Sequence, residues 1–217
     1  MAKKPKSEQE VAAFRERVRD AATRLFLERG PDNVTMRQIA AEMGVSPMTP
    51  YRYFRDKDEI LALVRAAAFN QFAENLEQAV RAAGDARAKA RAAGAAYLDF
   101  ARRFPDTYQL LFEHTQDDED RYPELVKAHA RANEGMAGYV QEMIDAGLVR
   151  GDAKLIGYMF WATMHGTVVL EQSGALGPDM DVDFLRQTTM RTLFAGMGVL
   201  PPYWDDGDRD WPESPVS

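Results

Sequence analysis

Residues 35–54 read TMRQIAAEMGVSPMTPYRYF, and how this stretch divides into helices decides the architecture. Thr35 followed by Gln38 has capping-box spacing, in which each side chain satisfies a backbone N–H at the other residue. Gly44 ends the short helix that begins there, since glycine takes the left-handed conformation that helix C-termini favour. Pro47 and Pro50 follow, three apart. Proline lacks a backbone donor and its ring crowds the preceding turn, so one is tolerated at a helix start and two form an obstacle. One solution is a helix capped by Ser46, opened by Pro47 and distorted at Pro50. The other starts at Pro50 with Thr49 as cap and leaves little more than one turn. The longer helix is the expectation.

Working outward, the chain reads as helix after helix, because Ala, Leu, Glu and Arg dominate and no β-branched run alternates as a strand would. Upstream, Val11, Phe14, Val18, Ala22 and Leu25 recur at helical spacing until Gly30 and Pro31 stop them. Downstream, Asp56 and Glu59 make a second capping-box-like start for a helix running to about residue 82. Gly84 breaks the pattern; helices follow near 86–104, 106–114, 122–146, 152–173 and 180–198. The expected fold is therefore all-α with about nine helices. A three-helix N-terminal domain occupies 1–57 and a larger helical domain 58–200. The tail at 201–217, rich in Pro and Asp, is expected to be extended or disordered.

The composition limits the function. With no cysteine among 217 residues, disulfides and thiolate metal sites are excluded. The N-terminus MAKKPKSEQE lacks the apolar run of a secretory signal, and no stretch has the apolar length a bilayer needs, so a cytoplasmic location is expected. The net charge is −7, yet residues 1–60 hold 12 Lys+Arg against 10 Asp+Glu while the remainder holds 15 against 24. The acidic excess thus lies outside the N-terminal part, which tolerates a polyanion.

Two short helices joined by a Gly-containing turn have the plan of a helix-turn-helix. Ile39, Ala40 and Val45 are placed to pack the pair, and a second helix held outward presents its N-terminal residues Ser46, Pro47, Met48 and Thr49 to base edges in a major groove. Around them, Thr35, Arg37, Tyr51, Arg52, Tyr53 and Lys57 offer the hydroxyls and cations that fix a protein on phosphates. Lys3, Lys4 and Lys6 add a flexible basic arm. Pro50 is expected to offer an apolar surface, such as a thymine methyl would meet. Spacing alone also fits two packed helices with a solvated charged face.

TMRQIAAEMGVSPMTPYRYFRDKDEIL resembles the DNA-binding segment of tetracycline-repressor-like (TetR) transcriptional regulators. The resemblance is carried by Thr35, Ile39, Ala40, Gly44, Val45, Ser46, Thr49, Tyr51, Tyr53, Phe54, Lys57, Glu59 and Leu61; Met43, Met48 and Pro50 depart from the usual pattern. It implies a homodimer in which the last two helices, about 152–173 and 180–198, form a four-helix bundle across a two-fold axis. It also implies a ligand cavity in each regulatory domain. The residues point the same way: LIGYMFWATMHGTVVLEQ is apolar on nearly every face, which calls for a second apolar partner.

Candidate cavity walls are Tyr97, Phe100, Phe104, Tyr108, Leu111, Phe112, Met136, Tyr139, Met143, Phe160, Trp161, Met164 and His165. Such residues suit an apolar ligand and equally an ordinary core. YLDFARRFPDTYQLLFE with WATMHG also resembles a regulatory-domain subtype with a Trp–x–x–x–His-Gly signature. His165, one turn after Trp161, fits either a ligand-facing imidazole or a core histidine. His114 beside the acidic loop suggests a metal only weakly, and no metal or cofactor is expected. The resulting expectation is a homodimeric repressor, released from a near-palindromic DNA operator by a small, largely apolar effector. The alternative is a helical small-molecule-binding protein or enzyme without sequence-specific DNA binding, although no catalytic constellation supports an enzyme.

Overall fold

Ser7 begins the first helix with a reciprocal capping box: its hydroxyl accepts from the Glu10 amide and its own amide donates to the Glu10 carboxylate at 2.8 Å. This helix, α1, runs Glu8–Arg29 and stops at Gly30, whose φ of 74° only glycine holds without cost. The computed structural model describes residues 7–112 and 119–196, with the side chains of Glu119 and Ala137 left aside. The expectations for Lys3, Lys4, Lys6, His114 and the 201–217 tail lie outside the described residues.

A 3₁₀ turn at Pro31–Asn33 leads to α2 (Met36–Glu42). Then come α3 (Lys57–Ala82), α4 (Ala86–Arg103), α5 (Pro105–Phe112), α6 (Pro123–Asp145), α7 (Ala153–Gln172) and α8 (Val182–Gly196). The all-α expectation holds, with eight α-helices among the described residues rather than nine. The missing one is the helix expected from Pro47 onward. In its place stands a 3₁₀ turn at Pro50–Arg52. An α-helix opened by Pro47 needs a bond from the amide of residue 50 to the Ser46 carbonyl, and Pro50 has no N–H to make it. The Ser46 carbonyl instead accepts from Thr49 at 2.8 Å, which tightens the turn to 3₁₀ spacing.

The second capping box is corrected too. Asp56 caps α3 by accepting from the Glu59 amide at 2.8 Å, but the Glu59 carboxylate turns to the Arg55 amide at 2.9 Å and to Arg15. Glu59 is drawn by a guanidinium from another helix, which sequence spacing does not reveal.

The described residues form two units, one within 1–83 and 91–136 and the other within 84–90 and 137–217. In the first, Phe14, Val18, Leu25 and Phe26 of α1 pack with Ile39 of α2, Phe54, Ile60 and Val64, and with Leu110 of α5. A second layer of this unit is aromatic. Phe72 meets Tyr97, Phe100 and Phe112 edge to face at centroid distances of 5.5, 5.2 and 5.7 Å, and the Tyr97 and Tyr108 hydroxyls hydrogen-bond at 2.6 Å. Such pairs add to what their burial alone provides.

In the other unit, Val140, Met143, Val149, Ile156, Phe160 and Phe194 form the core. Its α7 and α8 are fastened by Arg186, which is 4% exposed and donates to the Thr167 hydroxyl at 3.1 Å, to Glu171 at 2.8 Å and to Asp183. Spreading one guanidinium over three acceptors satisfies a charge that burial otherwise penalises. Among the described residues, no helix is long and apolar enough to cross a membrane.

Candidate nucleic-acid interface

α2 is only seven residues long, so its ends matter more than its interior. Its N-terminus is the capping box expected from the sequence: the Gln38 amide donates to the Thr35 hydroxyl at 3.3 Å and the Thr35 amide to the Gln38 side chain at 2.7 Å. The Thr35 hydroxyl proton also goes to Gln38, at 2.9 Å, so in the free chain this residue serves the helix start. At the other end Gly44 has φ 66°, and Val45 donates to the Ala40 carbonyl at 3.0 Å. That closure turns the chain sharply away from α2 into Ser46.

Ser46, Pro47, Met48, Tyr51 and Arg52 are exposed along the following segment. Met48, at 67%, is the most open large apolar side chain in it, and Tyr51 follows at 47%. Thr49 and Tyr53 are half-buried, whereas Pro50 is buried. The expected apolar surface at Pro50 is thereby overturned. The ring faces inward because the 3₁₀ turn places residues 50 and 54 toward the core, and Met48 is the apolar group that faces out.

Cations surround the segment. Arg37 on α2 and Arg52 are exposed, and neither forms an ion pair among the described residues. Lys57 is half-buried and donates to the Pro31 carbonyl at 2.7 Å, tying the start of α3 to the turn after α1. Its ammonium keeps two further donors. Burial alone raises the Glu59 pKa, but the Arg55 amide and the Arg15 guanidinium outweigh it and hold the carboxyl below its ordinary value. The segment therefore carries exposed positive charge, and the ionised Glu59 carboxylate is already paired with Arg15 and Arg55.

One residue that spacing did not single out, Arg15, completes the geometry together with contacts that spacing did not reveal. The Phe14 and Tyr53 rings pack at a tilt of 30° with centroids 4.2 Å apart. Arg15 donates to the Tyr53 carbonyl at 2.9 Å and to Glu59 at 3.3 Å. These partners lie some forty positions apart in sequence, where no local periodicity links them.

The candidate ligand residues divide between the two units. Tyr97, Phe100, Phe104, Tyr108 and Phe112 belong to the aromatic layer, with Phe100 and Tyr108 fully enclosed. Leu111 and Met136 are buried in the same unit. Tyr139, Met143, Phe160, Trp161, Met164 and His165 belong to the other, where Trp161 and His165 lie with centroids 5.5 Å apart. An open cleft of about 270 Å³ in the first unit is lined by Phe26, Leu27, Gly30, Pro31, Asp106, Gln109 and Leu110, none of them a candidate.

Comparison with known proteins agrees with this geometry. Residues 18–64 match the family model of the bacterial regulatory proteins, tetR family, and residues 90–193 match that of the tetracyclin repressor-like C-terminal domain. The transcriptional activator FasR of Mycolicibacterium smegmatis is 31% identical over 63% of this chain, and the match spans 62% of FasR. The transcriptional regulator BetI of Brucella canis is 28% identical over 81% of the chain and 87% of its own length. A solved structure of a protein of unknown function from Rhodococcus sp. RHA1 superposes with a TM-score of 0.72 at 28% identity, covering 84% of this chain and 94% of that one. With both models of this family matched, the chain belongs to the TetR family of DNA-binding transcriptional regulators and is not an enzyme.

Proposed function

We propose that this chain acts as a homodimeric repressor that reads a near-palindromic operator through residues 46–53 and is released by a small, largely apolar effector. The reading rests on one observation above all. A segment of exposed Ser46, Pro47, Met48, Tyr51 and Arg52 projects beyond buried Pro50 and Phe54, which leaves base-reading groups outside and anchors inside. Arg37, Arg52 and Lys57 serve the phosphates, and Thr35 supports them from the helix start. In this reading residues 1–57 bind DNA, 58–200 bind effector and partner, and 201–217 form the tail.

Dimerisation through α7 and α8 is supported by apolar side chains left open there: Leu155 at 61%, Tyr158 at 46% and Phe184 at 45%. Leu155, Tyr158 and Ala162 share one side of α7 by their spacing, and an apolar strip of this kind seeks a symmetric copy. For the effector, each unit offers its own aromatic group: the layer around Tyr97, Tyr108 and Phe112 in the first, and, separately, the Trp161–His165 pair, within the Trp–x–x–x–His-Gly sequence, in the other. Effector binding preferentially to a state with altered spacing between the two recognition segments lowers DNA affinity by that preference. Activation is the second reading, favoured by the similarity to FasR, itself an activator.

Selection of duplexes from a random pool, followed by mobility shift at several salt concentrations, tests the DNA reading. Enrichment of an inverted repeat supports it, and failure to enrich any sequence at low salt refutes it. Native mass spectrometry of the purified protein checks for a retained small molecule. Placing the selected duplex upstream or downstream of a promoter separates repression from activation.

A further inference from the structure

The recognition segment contains little that holds it in shape by itself. Pro47 and Pro50 donate no backbone hydrogen bond. The bonds from Thr49 to Ser46, Arg52 to Thr49 and Tyr53 to Pro50 have the tight three-residue spacing, at 2.8, 3.2 and 2.9 Å; only Phe54 reaches back four residues, to Pro50 at 3.0 Å. A short 3₁₀ stretch has poorer bond geometry than an α-helix and no helical ladder to stiffen it. Its pose must come from the groups packed around it.

Those groups converge on Arg15 and Glu59. One guanidinium nitrogen of Arg15 donates to the carbonyl of Tyr53 at 2.9 Å and to Glu59 at 3.3 Å. The guanidinium carbon lies 4.3 Å from the centroid of the Phe54 ring. Glu59 in turn accepts from the Arg55 amide at 2.9 Å. Three successive residues are thus held by one ion pair: 53 through its carbonyl, 54 through its ring and 55 through its amide. The pair is sheltered, with side-chain exposures of 32% and 21%, so water competes less for it than for a fully open ion pair.

We infer that Arg15, acting with Glu59, is a positioning residue that determines DNA specificity by fixing residues 53–55 at the end of the recognition segment. The inference rests on the proposal that residues 46–53 read base edges. Hydrogen bonds and apolar contacts to bases demand a set pose, whereas attraction to phosphates tolerates displacement. Loosening this clamp therefore erodes discrimination and leaves general DNA affinity in place.

The test compares wild type with R15A, R15K and E59Q, with R52A as the phosphate-contact control. Without DNA, hydrogen exchange read by mass spectrometry reports the clamp directly. R15A is expected to speed exchange of amides in 46–56 while the interiors of α1 and α3 stay protected as in wild type. Unchanged exchange in 46–56 overturns the inference, and so does acceleration spread equally over α1 and α3.

With DNA, R15A is expected to weaken binding to the duplex that wild type selects from a random pool by about tenfold to a hundredfold, the scale of one lost base readout. Binding to a scrambled duplex and the salt slope are expected to stay as in wild type. E59Q should fall between R15A and wild type. R15K, which keeps the charge but loses the planar fork over Phe54, should recover less than half of the lost discrimination. Equal weakening toward both duplexes, with a salt slope reduced by about one as in R52A, makes Arg15 a phosphate contact and overturns the inference. Should wild type select no duplex, the base-reading proposal fails, and the exchange measurement still decides whether the clamp exists.

Discussion

Met48 stands out at the residue scale, a long apolar side chain held 67% exposed on the turn between Ser46 and Arg52. Solvent exposure of this kind is compensated when a thymine methyl or a base edge covers the thioether. Met48→Ala is expected to cut affinity for the selected duplex severalfold, on the order of 1 kcal/mol, with little effect on a scrambled one; competition mobility shifts check this. Arg52, exposed and without an ion pair among the described residues, should behave differently. Arg52→Ala is expected to weaken both duplexes alike and lower the salt slope by about one. Glu59 carries a pH signature. Its folded pKa lies below its unfolded one, because the Arg55 amide and Arg15 outweigh the opposing effect of burial. The stability it contributes is complete above the unfolded value and is lost as pH falls through the folded value. Denaturation midpoints followed from pH 7 to acid should therefore decline less steeply in Glu59→Gln than in wild type.

Among the elements, what the sequence revealed depended on how far apart the interacting groups lie. The Thr35–Gln38 box was legible because both partners sit within one turn, and the Gly30 and Gly44 stops because positive φ selects glycine at once. The expected helix at 47–54 failed on one absent donor. Counting amide partners along the segment shows that Pro50 removes the founding bond, so the shorter alternative was nearer to what forms. The inward face of Pro50 and the capture of Glu59 by Arg15 were not legible, since both depend on α1 packing from far away in sequence. Gly44→Ala tests the turn: nothing lies within 4 Å of an added Cβ, so the cost is the backbone's own. A loss of roughly 1–2 kcal/mol by denaturant titration is expected, with DNA affinity reduced further because the turn aims the recognition segment.

For the whole molecule, the N-terminal unit and the pair α7–α8 have separate physical duties. The first places residues 46–53, and on the second Leu155, Tyr158 and Phe184 are exposed, the side chains that the proposed dimer would cover. Arg186 keeps α7 and α8 in register through Thr167, Glu171 and Asp183. Arg186→Ala is expected to lower stability by about 3 kcal/mol in chemical denaturation and to weaken self-association, since a buried arginine network is lost at once. A Leu155→Glu, Tyr158→Glu double variant should leave the N-terminal unit folded and yield single chains by light scattering. The proposed effector site was the least legible part, because aromatic residues at helical spacing look the same whether they fill a core or line a cavity. The most direct test of the central claim is to measure, by sedimentation with the duplex enriched from a random pool, how many chains bind each DNA. The account predicts an inverted repeat whose half-sites are contacted one per chain, two chains together, with binding lost in the Leu155→Glu, Tyr158→Glu variant. A single chain bound to an asymmetric site at full affinity, or no enriched sequence at all, would contradict it.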